Sequence, residues 1–284
     1  MVTGSRGLGI DLSKVGYLGP AGSFTEEATI AFNPQTQRVP FPSIPAVAQA
    51  VEAGEVDGGV VPIENSLQGA VTYTLDLLIH DSQLFIHDEL VLPIHHNLLT
   101  SPGTSVEEIR VIYSHPQALA QCRRYLEERL PGAEPIAALS TSSAVAHLSQ
   151  EPGSGAVGTL RAAQIYGAEI LDRAIEDSPN NATRFVMLAH SDHAPMGQDK
   201  TSVCFTFDQD APGLLHSVLE CVLAEGINMA KIESRPNRLQ LGRYFFLLDL
   251  DGHRLDANVA RVLECISARV TSLKVLGSYP RHRP

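Results

Sequence analysis

Residues 15–26 read VGYLGPAGSFTE. A short β-rich run, 15–18, gives way to a Gly-Pro-Ala-Gly turn, and Ser23 with Glu26 three positions on spells a helix-opening capping box. Strand, turn and capped helix in a dozen residues is the repeating unit of an α/β sheet. Similar runs at 59–63, 110–113, 136–139 and 156–158 each precede a helix-like stretch, so the alternation continues through the first two thirds of the chain. Two of those stretches show a buried helical face: Val71, Leu75, Leu78 and Ile79 within 71–80, and Leu119, Cys122, Leu126 and Leu130 within 118–130. Residues 84–99 are long and extended with no helical period. Such a segment suits a crossing between two lobes, so a bilobal α/β domain with a cleft is expected.

Beyond residue 200 the pattern changes. Residues 191–200, SDHAPMGQDK, are polar with Pro and Gly and read as a linker between a domain at 14–190 and another at 201–284. Residues 1–199 hold 10 basic and 23 acidic side chains, net −13, whereas 200–284 hold 11 and 9, net +2. The second part opens with Val203, Phe205 and Phe207 alternating as a strand, and Leu214, Leu215, Val218, Leu219, Val222 and Leu223 then share one helical face. Strands at 229–234 and 243–250, a helix carrying Val259, Val262, Leu263 and Ile266, and a strand at 272–276 complete a ferredoxin-like βαββαβ order.

The chain has 284 residues, 44% hydrophobic and 19% charged, which is enough apolar material for packed cores. A formal charge of −11 has the wrong sign for neutralising phosphates, so no nucleic-acid partner is expected. No apolar run reaches the ~18 residues of a membrane span, and residues 1–14 lack the apolar centre of a signal peptide, so the cytoplasm is expected and a membrane partner is not. Cys122, Cys204, Cys221 and Cys265 form no C-x-x-C pair and read as buried free thiols.

Several chemistries lack a signature. There is no G-x-S-x-G, P-loop or H-E-x-x-H motif, and Gly4, Gly7 and Gly9 lack dinucleotide spacing. His95 and His96 are adjacent, so on a strand they face opposite ways, and no metal site is expected. What recurs is a hydroxyl or amide where a strand ends and a helix begins: Ser23 and Thr25, Asn65 and Ser66, Ser114, the run 140–143 that includes Ser142, and Thr159. Singly, each serves as a helix cap. Together, at the carboxyl ends of strands, they describe a hydroxyl-lined anion site. Arg184 offers a two-pronged cation for a carboxylate and Phe185 an aromatic surface, although an arginine serves equally well in a structural ion pair.

These residues fall in motifs that resemble those of the prephenate dehydratases: residues 19–26, GPAGSFTE; 62–66, PIENS, with Gly69 and 74–78, TLDLL; 115–119, HPQAL; and 181–185, NATRF. The resemblance runs from about residue 15 to 279. It implies a catalytic domain like a periplasmic binding protein with its active site between the lobes, followed by a regulatory ACT domain marked by PGLL at 212–215, GIN at 226–228 and ESRP at 233–236. It implies decarboxylative dehydration of prephenate to phenylpyruvate without a cofactor, with Thr183 at the leaving hydroxyl, Arg184 on a substrate carboxylate and Phe185 against the ring. Glu64 and His115 are candidate relays behind Thr183, each with a structural alternative as a helix-start residue.

For the regulatory part the resemblance implies L-phenylalanine as effector, bound by Gly213, Leu214, Leu215, Asn228, Glu233 and Ser234 where two subunits pair, in a dimer or tetramer. Ser23 and Gly213 depart from the family's usual Thr and Ala. Arogenate as substrate, or a non-catalytic amino-acid sensor, are the competing readings.

Overall fold

The computed structural model describes residues 12–209, 211–237 and 244–282. Gly4, Gly7 and Gly9, Asp210 shortly before the PGLL motif and Arg243 at the start of an expected strand lie outside the described residues.

The first lobe runs β1 (Lys14–Leu18), α1 (Phe24–Phe32), β2 (Gln37–Phe41), α2 (Ile44–Glu52), β3 (Gly58–Asn65), the two-residue β4 (Gly69–Ala70), α3 (Thr72–Asp76) with a π-helical continuation Leu77–Asp81, and β5 (Phe85–Pro93). The chain then crosses to a second lobe: β6 (Asn97–Thr100), β7 (Val111–Ser114), α4 (Pro116–Gln121), α5 (Arg123–Arg129), β8 (Glu134–Ala137), α6 (Thr141–His147), β9 (Ser154–Gly158), α7 (Leu160–Tyr166) and β10 (Glu169–Asp172). It returns with β11 (Ala182–Ala189). The last part is β12 (Asp199–Thr206), α8 (Leu214–Ala224), β13 (Met229–Pro236), β14 (Tyr244–Asp251), α9 (Ala257–Ser267) and β15 (Ser272–Pro280).

The strands form three sheets, ordered β2-β1-β3-β11-β5, β10-β6-β9-β7-β8 and β13-β14-β12-β15. Because β5 belongs to the first sheet and β6 to the second, the extended stretch 84–99 does cross between lobes. The opening unit also forms as read: the Ser23 hydroxyl accepts from the Glu26 N–H at 3.3 Å and caps α1. The Glu26 carboxylate reaches back one residue further than a capping box requires, taking the Gly22 N–H at 2.6 Å.

Four local expectations need correction. The helix foreseen over 118–130 breaks at Cys122, because the Asp177 N–H takes the Gln121 carbonyl at 2.7 Å and the Asp177 carboxylate accepts from the Arg124 N–H at 3.2 Å. The strand foreseen over 136–139 ends at Ala137, and Leu139 is 97% exposed. On α8, Leu223 is 78% exposed, and Cys221 takes the buried position beside Val218 and Val222. Cys221 and Cys265 are joined by a disulfide, their Cα atoms 5.9 Å apart on facing helices, whereas Cys122 and Cys204 are free and buried. Residues distant in sequence meet through the fold, and a search for close pairs misses them.

The third sheet is covered on both faces. Val203, Phe205, Leu248 and Leu250 pack under α8 and α9 with Val218, Val262 and Ile266. From the opposite face Cys204, Leu247, Leu276 and Tyr279 enter the core of the first lobe, beside Val61, Ile63, Ile86, Val186 and Leu188. At Gly277 on β15 the approach is closest: a Cβ there would lie 2.8 Å from the Ile86 nitrogen of β5 and nearer still to its carbonyl oxygen, at a φ of +151°. The segment 191–200 is likewise packed rather than loose, with His193 and Asp199 buried and the His193 N–H donating to the Ser278 carbonyl at 3.0 Å.

Candidate active site

A cavity of about 540 Å³ opens between the first two sheets, within the size range of small-molecule sites. The first lobe contributes Leu18, Pro20, Phe24, Asn65 and Thr183, the second His115, Gln117, Gln121, Ser140, Thr141 and Ser143, and the crossing segments Ile94, His96 and Asn181. Thr183 and Asn65 meet because β11 and β3 are antiparallel neighbours with these two residues in register.

The Asn65 amide donates to the Thr183 Oγ1 at 2.9 Å and to the Asn181 Oδ1 at 2.9 Å, and its own oxygen accepts from the Leu67 and Gln68 N–H groups. Asn181 donates in turn to the Gln121 Oε1 at 3.1 Å, and the His96 Nε2 bonds the same oxygen at 2.8 Å. Every amide in this chain is thereby oriented. The Thr183 hydroxyl oxygen is occupied as an acceptor, so its hydrogen is available to the cavity.

Of the residues singled out in the sequence, the structure brings Thr183, Asn65, His115 and, from the run 140–143, Ser140, Thr141 and Ser143 to the cavity wall. The others lie elsewhere for identifiable reasons. Strand alternation sends Arg184 to the far face of β11, where its Nε donates to the Glu89 Oε2 at 2.7 Å, its Nη1 to the Asp249 Oδ2 at 2.9 Å and its Nη2 to the Tyr279 hydroxyl at 2.7 Å. Phe185 faces the α1 side but is buried beneath the cavity, among Val15, Tyr17, Phe32 and Val60. Glu64, opposite Arg184, accepts from the Lys231 Nζ at 3.0 Å.

Ser66 donates to the Asn180 carbonyl at 3.0 Å, and Ser114 donates to the Val157 carbonyl at 2.6 Å. Thr25 is buried within α1, and Ser23 is its cap. Ser142 donates to the Ala21 carbonyl and Thr159 to the Gly22 carbonyl, the latter at 2.6 Å, so two hydroxyls of the second lobe clasp the first loop of the other. Gly22 tolerates that closeness: a Cβ there would lie 2.9 Å from the Ala162 Cα at a φ of +84°.

Among the described residues, no lysine or arginine lines the cavity, and the ionisable ones that do are His96 and His115. Burial pushes the His96 imidazole below its ordinary 6.5, against the opposing pull of the Gln121 hydrogen bond and the Glu176 charge. The sequence reading missed Gln121, Asn181 and His96 as site residues. Asn181 stood inside a quoted motif, and Gln121 follows Gln117 by one helical turn, which was the available signal.

In the third sheet, Lys231, Glu233 and Arg235 alternate toward the first lobe, with Glu233 accepting from Lys231 at 3.1 Å and Arg235 bonding Asp76 at 3.3 Å. Ser234 is exposed on the other face of β13. Gly213 caps α8 at a φ of +89°, Leu214 and Leu215 are half-buried in its first turn, and Asn228 donates to the Asp251 Oδ2 at 3.0 Å.

A family model described as prephenate dehydratase matches residues 15–193. A bifunctional chorismate mutase/prephenate dehydratase of Aquifex aeolicus is 42% identical over 269 residues, covering 94% of this chain and 74% of that protein. The prephenate dehydratase of Bacillus subtilis is 36% identical over 283 residues, covering 95% and 99%. Among solved structures, the prephenate dehydratase of Arthrobacter aurescens in complex with L-Phe superposes with a TM-score of 0.87 at 35% identity, over 94% of this chain and 90% of that one. A matched segment that spans both lobes and ends just past the returning strand β11, and relatives alike over nearly the whole length, agree with the cleft and its threonine: the chain belongs to the prephenate dehydratase family.

Proposed function

We propose that the cavity converts prephenate to phenylpyruvate, carbon dioxide and water. The supporting observation is the Thr183 hydroxyl, held as an acceptor by Asn65 and so turned to donate toward a ligand. Prephenate loses a ring carboxylate and a ring hydroxyl with no net redox change, and aromatisation drives the reaction, so the scheme calls for no redox cofactor. The protein's part is to hold a dianion in one orientation and stabilise the hydroxyl as it departs. Thr183 donates to that hydroxyl. The hydroxyl of Thr141 and the amide of Gln117 offer donors to the carboxylates, a task that buried Arg184 does not reach. Phenylpyruvate formation from prephenate by the purified protein tests the reading, and no product at any pH overturns it. Running arogenate in parallel separates the two substrates, which differ in a keto group against an ammonium.

L-phenylalanine is the effector we assign to the third sheet, supported by the family's regulatory motifs and by the L-Phe complex of the Arthrobacter relative. The exposed apolar residues Leu223, Ile232 and Tyr244 give that unit a surface for self-association, as a dimer or tetramer. With the separation of faces on β13, Ser234 rather than Glu233 lies on the side away from the catalytic lobe. Saturating L-phenylalanine should weaken substrate binding roughly 5- to 150-fold, the usual span of coupling between sites. Asn228→Ala should bring that ratio toward one, measured as the substrate KM with and without effector. Deleting everything after Met196 is a poor substitute, because it strips Leu247, Leu276 and Tyr279 from the core of the first lobe.

A further inference from the structure

We propose that His96 is a catalytic residue of this cleft, the source of the proton that turns the departing ring hydroxyl into water. The proposal rests on the reading above, that the cleft dehydrates prephenate. The balance of that reaction requires a donor. The bond from ring carbon to carboxylate breaks and releases carbon dioxide, its electron pair enters the ring, and the carbon–oxygen bond breaks with its pair on oxygen. A dianion and one proton thus become a monoanion, carbon dioxide and water. Thr183 can share its hydrogen with the leaving oxygen, but an aliphatic hydroxyl is too weak an acid to surrender it.

Among the described residues, the ionisable groups lining the cavity are His96 and His115. His115 is exposed, and its Nδ1 accepts the Gln117 N–H at 3.3 Å as the cap of α4. His96 is only 3% exposed. Its Nε2 bonds the Gln121 Oε1, which also accepts from Asn181, so the ring carries hydrogen on Nε2. Phe24 packs edge-on at 5.6 Å between centroids. The Nδ1 atom is buried and has no hydrogen-bond partner among the described residues. A buried nitrogen in a cavity wall with its other nitrogen tied down is a position that a ligand completes.

The charged groups around it are few. Glu176 accepts from the His96 backbone N–H at 2.8 Å and bonds the His95 Nδ1 at 2.7 Å, so its charge is already shared. From α1, Glu27 lies within electrostatic reach of His95, while α4 presents Gln121 and the return segment Asn181, both neutral. Burial disfavours the imidazolium and pushes the ring below its ordinary range. A dianion in the cavity favours the imidazolium, whose new Nδ1–H is the proton to be spent.

The test is the pH profile of kcat for the wild-type protein and for His96→Gln. An acid must be protonated in the substrate complex, so wild-type kcat should be level at low pH and fall about tenfold per unit above the imidazolium's pKa. His96→Gln should lower kcat about 10²- to 10⁴-fold, abolish that fall, and change KM far less. Added imidazole should partly restore His96→Ala. A variant that keeps kcat within about fivefold, or that changes only KM, overturns the proposal. If neither variant folds, the wild-type profile decides: a kcat independent of pH from 6 to 9 overturns it. Wild-type turnover of prephenate is scored separately, and its absence would instead remove the underlying reading.

Discussion

Thr183→Val will fold like the parent protein and turn over prephenate about 10²- to 10⁴-fold more slowly, with KM changed far less. Valine keeps the branched shape on β11, so the neighbouring core of Phe185 and Val186 is undisturbed. What disappears is the hydrogen aimed at the cavity and one acceptor for the Asn65 amide, whose bonds to the Asn181 side chain and the Ala182 carbonyl remain. Thermal unfolding checks the fold, and single-turnover kinetics checks that the loss lies in the chemical step. Near-normal kcat in a folded variant would remove Thr183 from the mechanism.

Arg184→Met should act on stability. The guanidinium is the shared partner of Glu89, Asp249 and Tyr279, all buried, and without it the two carboxylates would be left to Lys200, which bonds Glu89 at 2.9 Å, and to the charge of Lys231. Breaking a buried ion pair on one side costs about 3–5 kcal/mol, and urea unfolding should show a loss of that order. Had Arg184 gripped a substrate carboxylate, the same variant would raise KM and leave unfolding unchanged. The cluster also has a pH signature. Burial by itself would raise the Asp249 carboxyl, but the charges of Arg184 and Lys200 and the Ser202 hydroxyl outweigh it and hold the group below its ordinary 3.8. A depressed carboxyl contributes stability that is full above its unfolded value and is lost as pH falls through the folded one. The wild-type protein should therefore lose stability more steeply below pH 3.8 than Asp249→Asn does.

The local grammar of the fold was legible. Caps, alternation and the apolar faces of 71–80 and 203–223 located most elements, and the aperiodic 84–99 located the crossing. Residues 37–52 went unmarked although they form β2 and α2: their signals, Ser43 as a cap and Pro45 in the first turn, sit inside a proline-rich run that reads as loop. The site was legible as a set of residue types but not as a set of directions. Thr183 and Arg184 are neighbours in a motif, yet a pleated strand sends one to the cleft and the other to the domain contact. The hydroxyls at strand ends mostly bind backbone carbonyls, because a buried hydroxyl takes the nearest acceptor. His96 reads in the sequence only as half of an unworkable metal pair, and the fold alone shows that its ring is tied at Nε2 and buried at Nδ1 without a partner among the described residues.

The contact at Gly277 limits how the two halves of the molecule can speak to each other. Where backbone meets backbone there is no side chain to re-pack and no layer of water to thin or thicken, so β15 cannot rise from β5 by a fraction of an ångström at little cost. Motion across such a joint is confined to sliding or turning in the plane of contact, the shear mode of coupled domains. A turn in that plane would carry with it the strands that hold Glu64 and Arg184, one residue away from Asn65 and Thr183, whereas the opening of a gap would have to break the backbone contact first.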